Sequence, residues 1–359
     1  MPDFSVDPDI RRARSLPRTF YTDAGVYARS LERVFGRGWH WLADTGELSP
    51  GASCLPRVLL PGSLDEPLVL TRDGSGTVRA LSNVCTHRGN LVAERAGTVS
   101  ELRCRYHGRR FGLDGSFRSM PEFEDALDFP GPSDDLPALA AGRLGPMVFA
   151  SPDPEEPFDA WIAPVAERLP RIDPHTLVFD PRTSRDYVVE AHWALYCDNY
   201  LEGFHIPFVH PALNRELEYR GYRTELLPGG VLQIGEAAGG GPVFHLPEGH
   251  PDHGRSIGAY YLWLFPGTML NLYPWGISLN VLHPLGPGRT CVVFRSYVGD
   301  ASLREGGAGA GLHEVEREDE AVVEAVQRGV RSRVYRGGRF SPSRERGVHH
   351  FHRMLAARL

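Results

Sequence analysis

Cys85-Thr86-His87, sixteen residues, then Cys104-Arg105-Tyr106-His107 is the stretch that decides how this chain folds and what it carries. Each half-site holds one thiol and one imidazole, so the pair offers two sulfurs and two nitrogens to one prosthetic group. A [2Fe–2S] cluster uses that set with both thiolates on one iron and both histidines on the other. This raises its potential well above that of an all-cysteine cluster. A zinc ion takes the same four atoms, and two cysteines can also close a disulfide. The spacing speaks against zinc. Cys-x-His and Cys-x-x-His mix the ligand types within each half, whereas zinc fingers pair Cys with Cys and His with His.

Outward from these ligands, residues 43–150 read as all-β. Short runs such as Pro67-Leu-Val-Leu-Thr71 and Thr77-Val-Arg-Ala-Leu81 are split by Gly, Pro and Asp turns. Two loops reaching from paired hairpins are expected to close over the prosthetic group. The wording Cys85-Thr-His-Arg-Gly89 and Cys104-Arg-Tyr-His-Gly108 closely resembles the Rieske family, and the resemblance makes Cys85, His87, Cys104 and His107 the cluster ligands.

At 359 residues the chain exceeds a common single domain, and its 42% hydrophobic content is that of an ordinary globular protein. No apolar run is long enough to span a bilayer, so no membrane association is expected. Met1-Pro-Asp-Phe-Ser-Val-Asp7 lacks the basic start and apolar core of a secretory signal, which gives a cytoplasmic expectation. A net charge of −6 without a Lys/Arg block argues against nucleic acid as a partner. Five widely spread cysteines do not form a secreted disulfide framework, and Cys54, Cys197 and Cys291 read as buried small residues.

Residues 18–42 contain a helix start at Thr22 or Asp23, with Tyr27, Leu31, Val34 and Phe35 at helical spacing. Ser151-Pro-Asp-Pro-Glu-Glu-Pro157 reads as a link. Beyond it, residues 186–204 are partly helical, 256–300 alternate like strands, and 313–335 return to helix. The expected organisation is α+β: an N-terminal helical segment (1–42) packed on the catalytic domain, an all-β Rieske domain (43–150), and a helix-grip-like catalytic domain (151–359) with an antiparallel sheet flanked by helices.

The second informative segment is Asp198-Asn199-Tyr200-Leu-Glu202-Gly-Phe-His205-Ile-Pro207-Phe-Val-His210. In a straight helix His205 and His210 diverge by about 140° and cannot share one ion. Pro207 lacks an N–H and clashes with the carbonyl of Gly203, so the helix is expected to kink or end there and let the second histidine swing back. Two imidazoles and one carboxylate make the facial triad of non-haem Fe(II) oxygenases. Asp319 is the candidate carboxylate, because it shares a stripe with Val322, Val323 and Val326, while Glu320 is expected to be solvated beside Glu324 and Gln327. Glu318 and Glu320 are the alternatives.

With both motifs on one chain, most of its length resembles the alpha subunit of Rieske non-haem iron oxygenases. The resemblance implies a ring-shaped homotrimer, in which the cluster of one subunit serves the mononuclear iron of its neighbour. It also implies that Glu202 bridges His205 to the partner subunit's His107, with Asp198 the runner-up and Asn199 a further catalytic candidate. The resemblance further implies O2 as co-substrate and electrons from NAD(P)H through a separate flavin/iron–sulfur reductase, with or without a ferredoxin; no nucleotide fingerprint lies in a strand–helix context here, so nicotinamide is expected to bind elsewhere.

The Glu at the bridge, Asp198-Asn-Tyr-Leu-Glu-Gly-Phe-His205, and Glu318-Asp319 with Val326-Gln-Arg-Gly329 resemble the branch that oxidises choline, glycine betaine and carnitine. Tyr200 and residues of 259–282 are expected to offer aromatic faces to such a cation. Ring dihydroxylation or O-demethylation of an aromatic substrate is the alternative, and a plain Rieske electron carrier is the non-enzymatic one. Two places depart from the family: Arg109-Arg110 replaces the usual Trp, as a docking feature or a solvated loop, and Ala191-His192-Trp193-Ala194 replaces Asn-Trp-Lys. His245, His250 and His253 near Asp252 are read as a surface loop, and His349, His350 and His352 as helix surface with some packing. Trp263, Tyr273 and Trp275 are read mainly as core, with one or two lining the pocket.

Overall fold

The structure, a computed structural model, describes residues 4–168 and 174–359, so the first three residues of the N-terminal stretch read above lie outside it. Contacts divide the chain into Gly36–Phe158 and a second unit made of Met1–Phe35 with Asp159–Leu359. The expected boundaries at 42/43 and 150/151 therefore move. The reason is strand pairing: His40–Asp44 runs antiparallel to Met147–Ser151, and the Trp39 indole donates to the Glu156 carbonyl, so residues 36–42 and the proline-rich stretch stay with the β unit.

The β unit holds a seven-stranded sheet in the order His40–Asp44, Met147–Ser151, Ala138–Leu144, Val78–Ser82, Glu66–Arg72, Ser53–Leu59, Gly97–Thr98, and a three-stranded sheet of Leu102–Arg103, Arg110–Phe111 and Phe117–Ser119. Turn chemistry sets the register. Between Glu66–Arg72 and Val78–Ser82, the Asp73 carboxylate accepts from Ser75 N and Thr77 N, and Gly76 takes a positive φ that a side chain would resist. Cys54, Val69, Leu81, Val92, Leu102, Phe111 and Leu136 form the core, and Cys85 and Cys104 belong to it.

The other unit is built on an antiparallel sheet in the order Val178–Phe179, Arg289–Val298, Gly276–Gly286, Thr268–Tyr273, Ile257–Leu264, Gly230–Glu236, Arg223–Leu227, with Arg185–Val189 also paired to Arg289–Val298. Its central strand Thr268–Tyr273 is buried on both faces. The helices are α1 (Arg18–Thr22), α2 (Ala24–Ser30), α3 (Phe158–Arg168), α4 (Trp193–Tyr200), α5 (Ile206–Val209), α6 (Leu213–Glu216), α7 (Leu312–Val330) and α8 (Arg346–Ala356). Asp23 caps α2 by accepting from Val26 N, as its sequence position predicts. The helical expectation over 186–204 shortens to α4, because Arg185–Val189 is a strand. His192 explains why α4 starts where it does: its Nδ1 accepts from Ala194 N, and its own N–H donates to Gln327 Oε1 on α7. Buried among Phe20, Tyr21 and Tyr27, its imidazolium is pushed down to about 3 by desolvation.

Candidate metal centres and the cavity beside them

Two congruent turns carry the four cluster candidates. Gly89 N donates to Cys85 O and Gly108 N donates to Cys104 O, both at 3.0 Å. One residue further on, Cys85 N donates to Asn90 O and Cys104 N to Arg109 O, at 2.9 and 2.8 Å. Both glycines sit at positive φ, 70° and 76°, which closes each turn without steric cost. The turns bring Cys85 and Cys104 together as buried free thiols, and set the His87 and His107 rings 4.8 Å apart. His87 Nδ1 is buried with no hydrogen-bond partner among the described residues, and Asn90 donates to Cys104 Sγ at 3.6 Å. An orphaned imidazole nitrogen beside two adjacent thiols fits a cluster that takes both nitrogens and both sulfurs.

Arg109 is neither a docking residue nor a solvated one. Its side chain is 2% exposed, pairs with Asp134 at 2.5 Å, and lies over the rings of Phe111, Phe117 and Phe129. Arg110 is exposed and pairs with Glu101. Arg109 closes the second cluster turn, just before the strand Arg110–Phe111 begins, and the two neighbours diverge.

The second cluster of donors comes from three places. His205 Nε2 and His210 Nε2 lie 3.5 and 3.0 Å from Asp319 Oδ1, and the three ligand atoms fall within 4.8 Å of one another. The histidine rings are 5.1 Å apart. The chain break that allows this is not at Pro207. Helix α4 ends at Tyr200, and Pro207 lies in the first turn of the new helix α5, where its missing N–H costs nothing. Glu202 accordingly sits in the turn: its carboxylate accepts from Phe204 N and His205 N, and its Oε1 lies 2.7 Å from His205 Nδ1.

Glu318, an alternative ligand, has another position. It lies 2.7 Å from His210 Nδ1. Both histidines therefore have a carboxylate on Nδ1, which fixes the Nδ1–H tautomer and leaves Nε2 free for a metal. Burial alone would lower the His210 imidazolium, but Asp319 and Glu318 outweigh it and hold it above the ordinary range. The site thus asks for positive charge, as a divalent ion would supply. Glu320, expected in solvent, is 4% exposed, and Val326 on the supposed inner face is 42% exposed. Helix α7 buries the stripe Glu316, Glu320, Val323, Gln327, Val330 instead, and Asp319 lies on its flank.

A cavity of about 100 Å³ adjoins the triad. Tyr196, Tyr200, Tyr222, Tyr261, Tyr273 and Phe294 supply aromatic surface, while Asn199, Asn271, Ser278 and Asn280 supply polar groups. Tyr273 lines it; Trp263 and Trp275 are buried in the sheet region. Tyr261, Asn271 and Ser278 fall within the 259–282 stretch expected to contribute, and strand pairing sets Asn271 opposite both Tyr261 and Ser278; Tyr222 is singled out by no local motif.

Asp198 is committed elsewhere. Its Oδ1 lies 2.8 Å from His352 Nε2 and its Oδ2 accepts from Tyr21 OH at 3.1 Å. The C-terminal histidines are correspondingly more than helix surface: His352 is buried, accepts from Leu16 N at Nδ1, and ties α8, α4 and the N-terminal segment together. His349 and His350 reach the carbonyls of Asp7 and Leu227. In the 237–254 loop His245 and His253 are exposed and His250 accepts from Asp252 N. Asp252 itself is buried and pins the loop through Arg168, Arg223 and Tyr260.

Comparison with known proteins agrees with this anatomy. Residues 38–130 match the Rieske [2Fe-2S] domain, and residues 178–359 match the ring hydroxylating alpha subunit catalytic domain. A choline monooxygenase of Amaranthus tricolor is 32% identical across 94% of this chain and 76% of that protein. The carnitine monooxygenase oxygenase subunit of Escherichia coli K12 is 29% identical across 99% of this chain and 97% of that one. A quaternary ammonium Rieske monooxygenase solved with L-carnitine superposes with a TM-score of 0.76 at 23% identity, over 99% of this chain and 98% of that one, which shows a common fold. No described helix is long and apolar enough to cross a membrane. The chain is an O2-using oxidoreductase with a Rieske cluster and a mononuclear iron, dependent on a separate electron donor, and it belongs to the Rieske-type ring-hydroxylating alpha subunits.

Proposed function

We propose that the protein is the oxygenase component of a monooxygenase for a small quaternary ammonium compound, with a choline-like alcohol as the best-fitting substrate. The observation that carries this is the cavity: five tyrosines and a phenylalanine face a space with three acidic side chains, Glu202, Glu316 and Asp319, and among the described residues lining it none is Arg or Lys. Aromatic faces and carboxylates attract a cation. A carboxylate-bearing substrate would find no guanidinium or ammonium to meet it. The relatives named for choline and carnitine support this reading over an aromatic ring substrate.

Cys85, His87, Cys104 and His107 would hold the cluster, and His205, His210 and Asp319 the iron. When bound, these groups supply single-electron relay and O2 activation beside the substrate. The protein's own contribution is positional. Glu202 and Glu318 hold the two imidazoles in the Nδ1–H form and aim Nε2 at the metal position. Tyr200 fixes its ring by donating to Asn271 Oδ1 at 2.8 Å, and Asn271 donates in turn to the Ser278 carbonyl. The polar groups Asn199 and Asn280 are positioned to meet a substrate hydroxyl.

Glu202, whose carboxylate lies on His205 Nδ1 beside the triad, is the residue assigned to bridge to the partner subunit's His107. Asp198, turned away from the triad toward His352 and Tyr21, is not. A head-to-tail trimer is supported by exposed apolar residues beside each centre: Phe208 at 78% and Phe204 next to the triad turn, Tyr106 at 62% and Leu91 around the cluster turns. Two different patches that meet head to tail can close a ring. An NAD(P)H-dependent reductase, with or without a ferredoxin, would feed the cluster, in the cytoplasm. The test is turnover with a panel of choline, glycine betaine, carnitine and aromatic acids. Coupled O2 consumption and product with choline is expected, and coupled oxidation of aromatic compounds alone would overturn the assignment.

A further inference from the structure

We propose that Glu316 is the counter-charge that binds the cationic head of the substrate and lets the cavity prefer a quaternary ammonium group to a neutral group of the same shape. This rests on the substrate class proposed above. Glu316 lies on α7 one turn before Asp319, so both face the cavity that they line. It is 3% exposed. Its Oε2 accepts from Tyr196 OH at 2.6 Å, and its Oε1 has no hydrogen-bond partner among the described residues.

A buried carboxyl oxygen left unpaired is costly and calls for a reason. The other acids of the cavity already have work. Asp319 faces both histidine Nε2 atoms, and Glu202 holds His205 Nδ1 and two backbone amides. Glu316 touches neither imidazole. Burial holds its carboxyl well above the usual carboxylate range, as befits an acid whose counter-ion has yet to arrive. With Asp319 and Glu202 balanced by a divalent iron, Glu316 is the acid whose charge is left for an incoming ligand. Tyrosine faces alone also attract a cation, but more weakly than a desolvated carboxylate does.

The test measures binding to the anaerobic holoprotein, by calorimetry, of choline and of 3,3-dimethylbutan-1-ol, in which carbon replaces the charged nitrogen. The wild type should bind choline at least about tenfold more tightly. Glu316→Gln should weaken choline roughly tenfold and leave the neutral compound within about twofold, so that the preference collapses. Glu316→Asp, which keeps the charge on a shorter arm, should retain most of the preference and decides the matter if the Gln variant fails to fold. An unchanged preference in Glu316→Gln, equal weakening of both ligands, or loss of preference in Glu316→Asp would overturn the role of Glu316 while leaving the substrate class standing. A wild-type protein that binds no quaternary ammonium compound would overturn both.

Discussion

The cluster turns take all four donors from one short stretch, Cys85 to His107, and shape them by one turn used twice. The triad takes His205 and His210 from a broken helix and Asp319 from a helix 109 residues further along. In the first region the donors are fixed by local hydrogen bonds and two left-handed glycines, inside the core of a β unit. In the second they are fixed by side chains standing behind them, Glu202 behind His205 and Glu318 behind His210. A site built from local backbone tolerates distant changes. A site assembled by tertiary packing depends on its supporting carboxylates.

The sharpest way to break that comparison is to remove one donor from each region. Cys85→Ser should abolish the visible absorption and the reduced-state EPR signal of the cluster and lower iron content by about two per chain, leaving the third iron bound. Asp319→Ala should do the reverse. Its cluster spectrum stays intact, the mononuclear iron is lost, and turnover falls by well over about a hundredfold. Metal analysis with EPR on the two variants checks both. Loss of both centres in either variant would show that the regions are not independent.

Support should matter more at the triad. Glu318→Gln should weaken iron affinity about 10–100-fold, read by chelator competition. Glu202→Gln should keep both centres but slow electron transfer from reduced cluster to iron in a single turnover. Normal transfer there would remove Glu202 from the bridging role.

In the β unit the smaller contrast is between neighbours. Arg109→Gln should destabilise the protein by about 3 kcal/mol, because it leaves Asp134 without its buried partner. Arg110→Gln should cost less than about 1 kcal/mol, as an exposed ion pair does. Thermal unfolding of the pair reads the difference.

A further effect is a pH slope. His192 is held neutral, with a folded value of about 3 against the ordinary 6.5, so between these values the unfolded chain binds a proton that the native one does not. Its contribution is complete above pH 6.5 and is lost as pH falls toward 3. His192→Asn, which can still cap α4, should flatten the acid side of the stability profile in denaturant melts.

The same contrast governs what could be seen in the amino-acid order. Cys85, His87, Cys104 and His107 were legible as a set because their geometry is local. His205, His210 and Asp319 are legible as residue types, although helical geometry alone places the break at Pro207, where the chain breaks after Tyr200, and leaves Glu320 in solvent, where it is buried. A hydrophobic stripe cannot show that a helix will bury Glu316 and Glu320, since that depends on what packs against it. Glu318 behind His210, His352 behind Asp198 and the burial of Arg109 are long-range pairings that no spacing encodes. Domain borders slipped by about seven residues because one strand, His40–Asp44, finds its partner more than a hundred residues away.

The central claim is oxygen insertion into a quaternary ammonium alcohol at the iron. It is tested most directly by a single turnover of chemically reduced, fully loaded protein with choline under 18O2, which needs no reductase. One O2, two electrons and two protons convert the alcohol carbon to a hydrated aldehyde and water. The account predicts betaine aldehyde hydrate carrying one 18O, trapped by reduction or derivatisation faster than it exchanges, with oxidation of the cluster in proportion. Cluster oxidation with no choline-derived product, or product only from an aromatic compound, would contradict it.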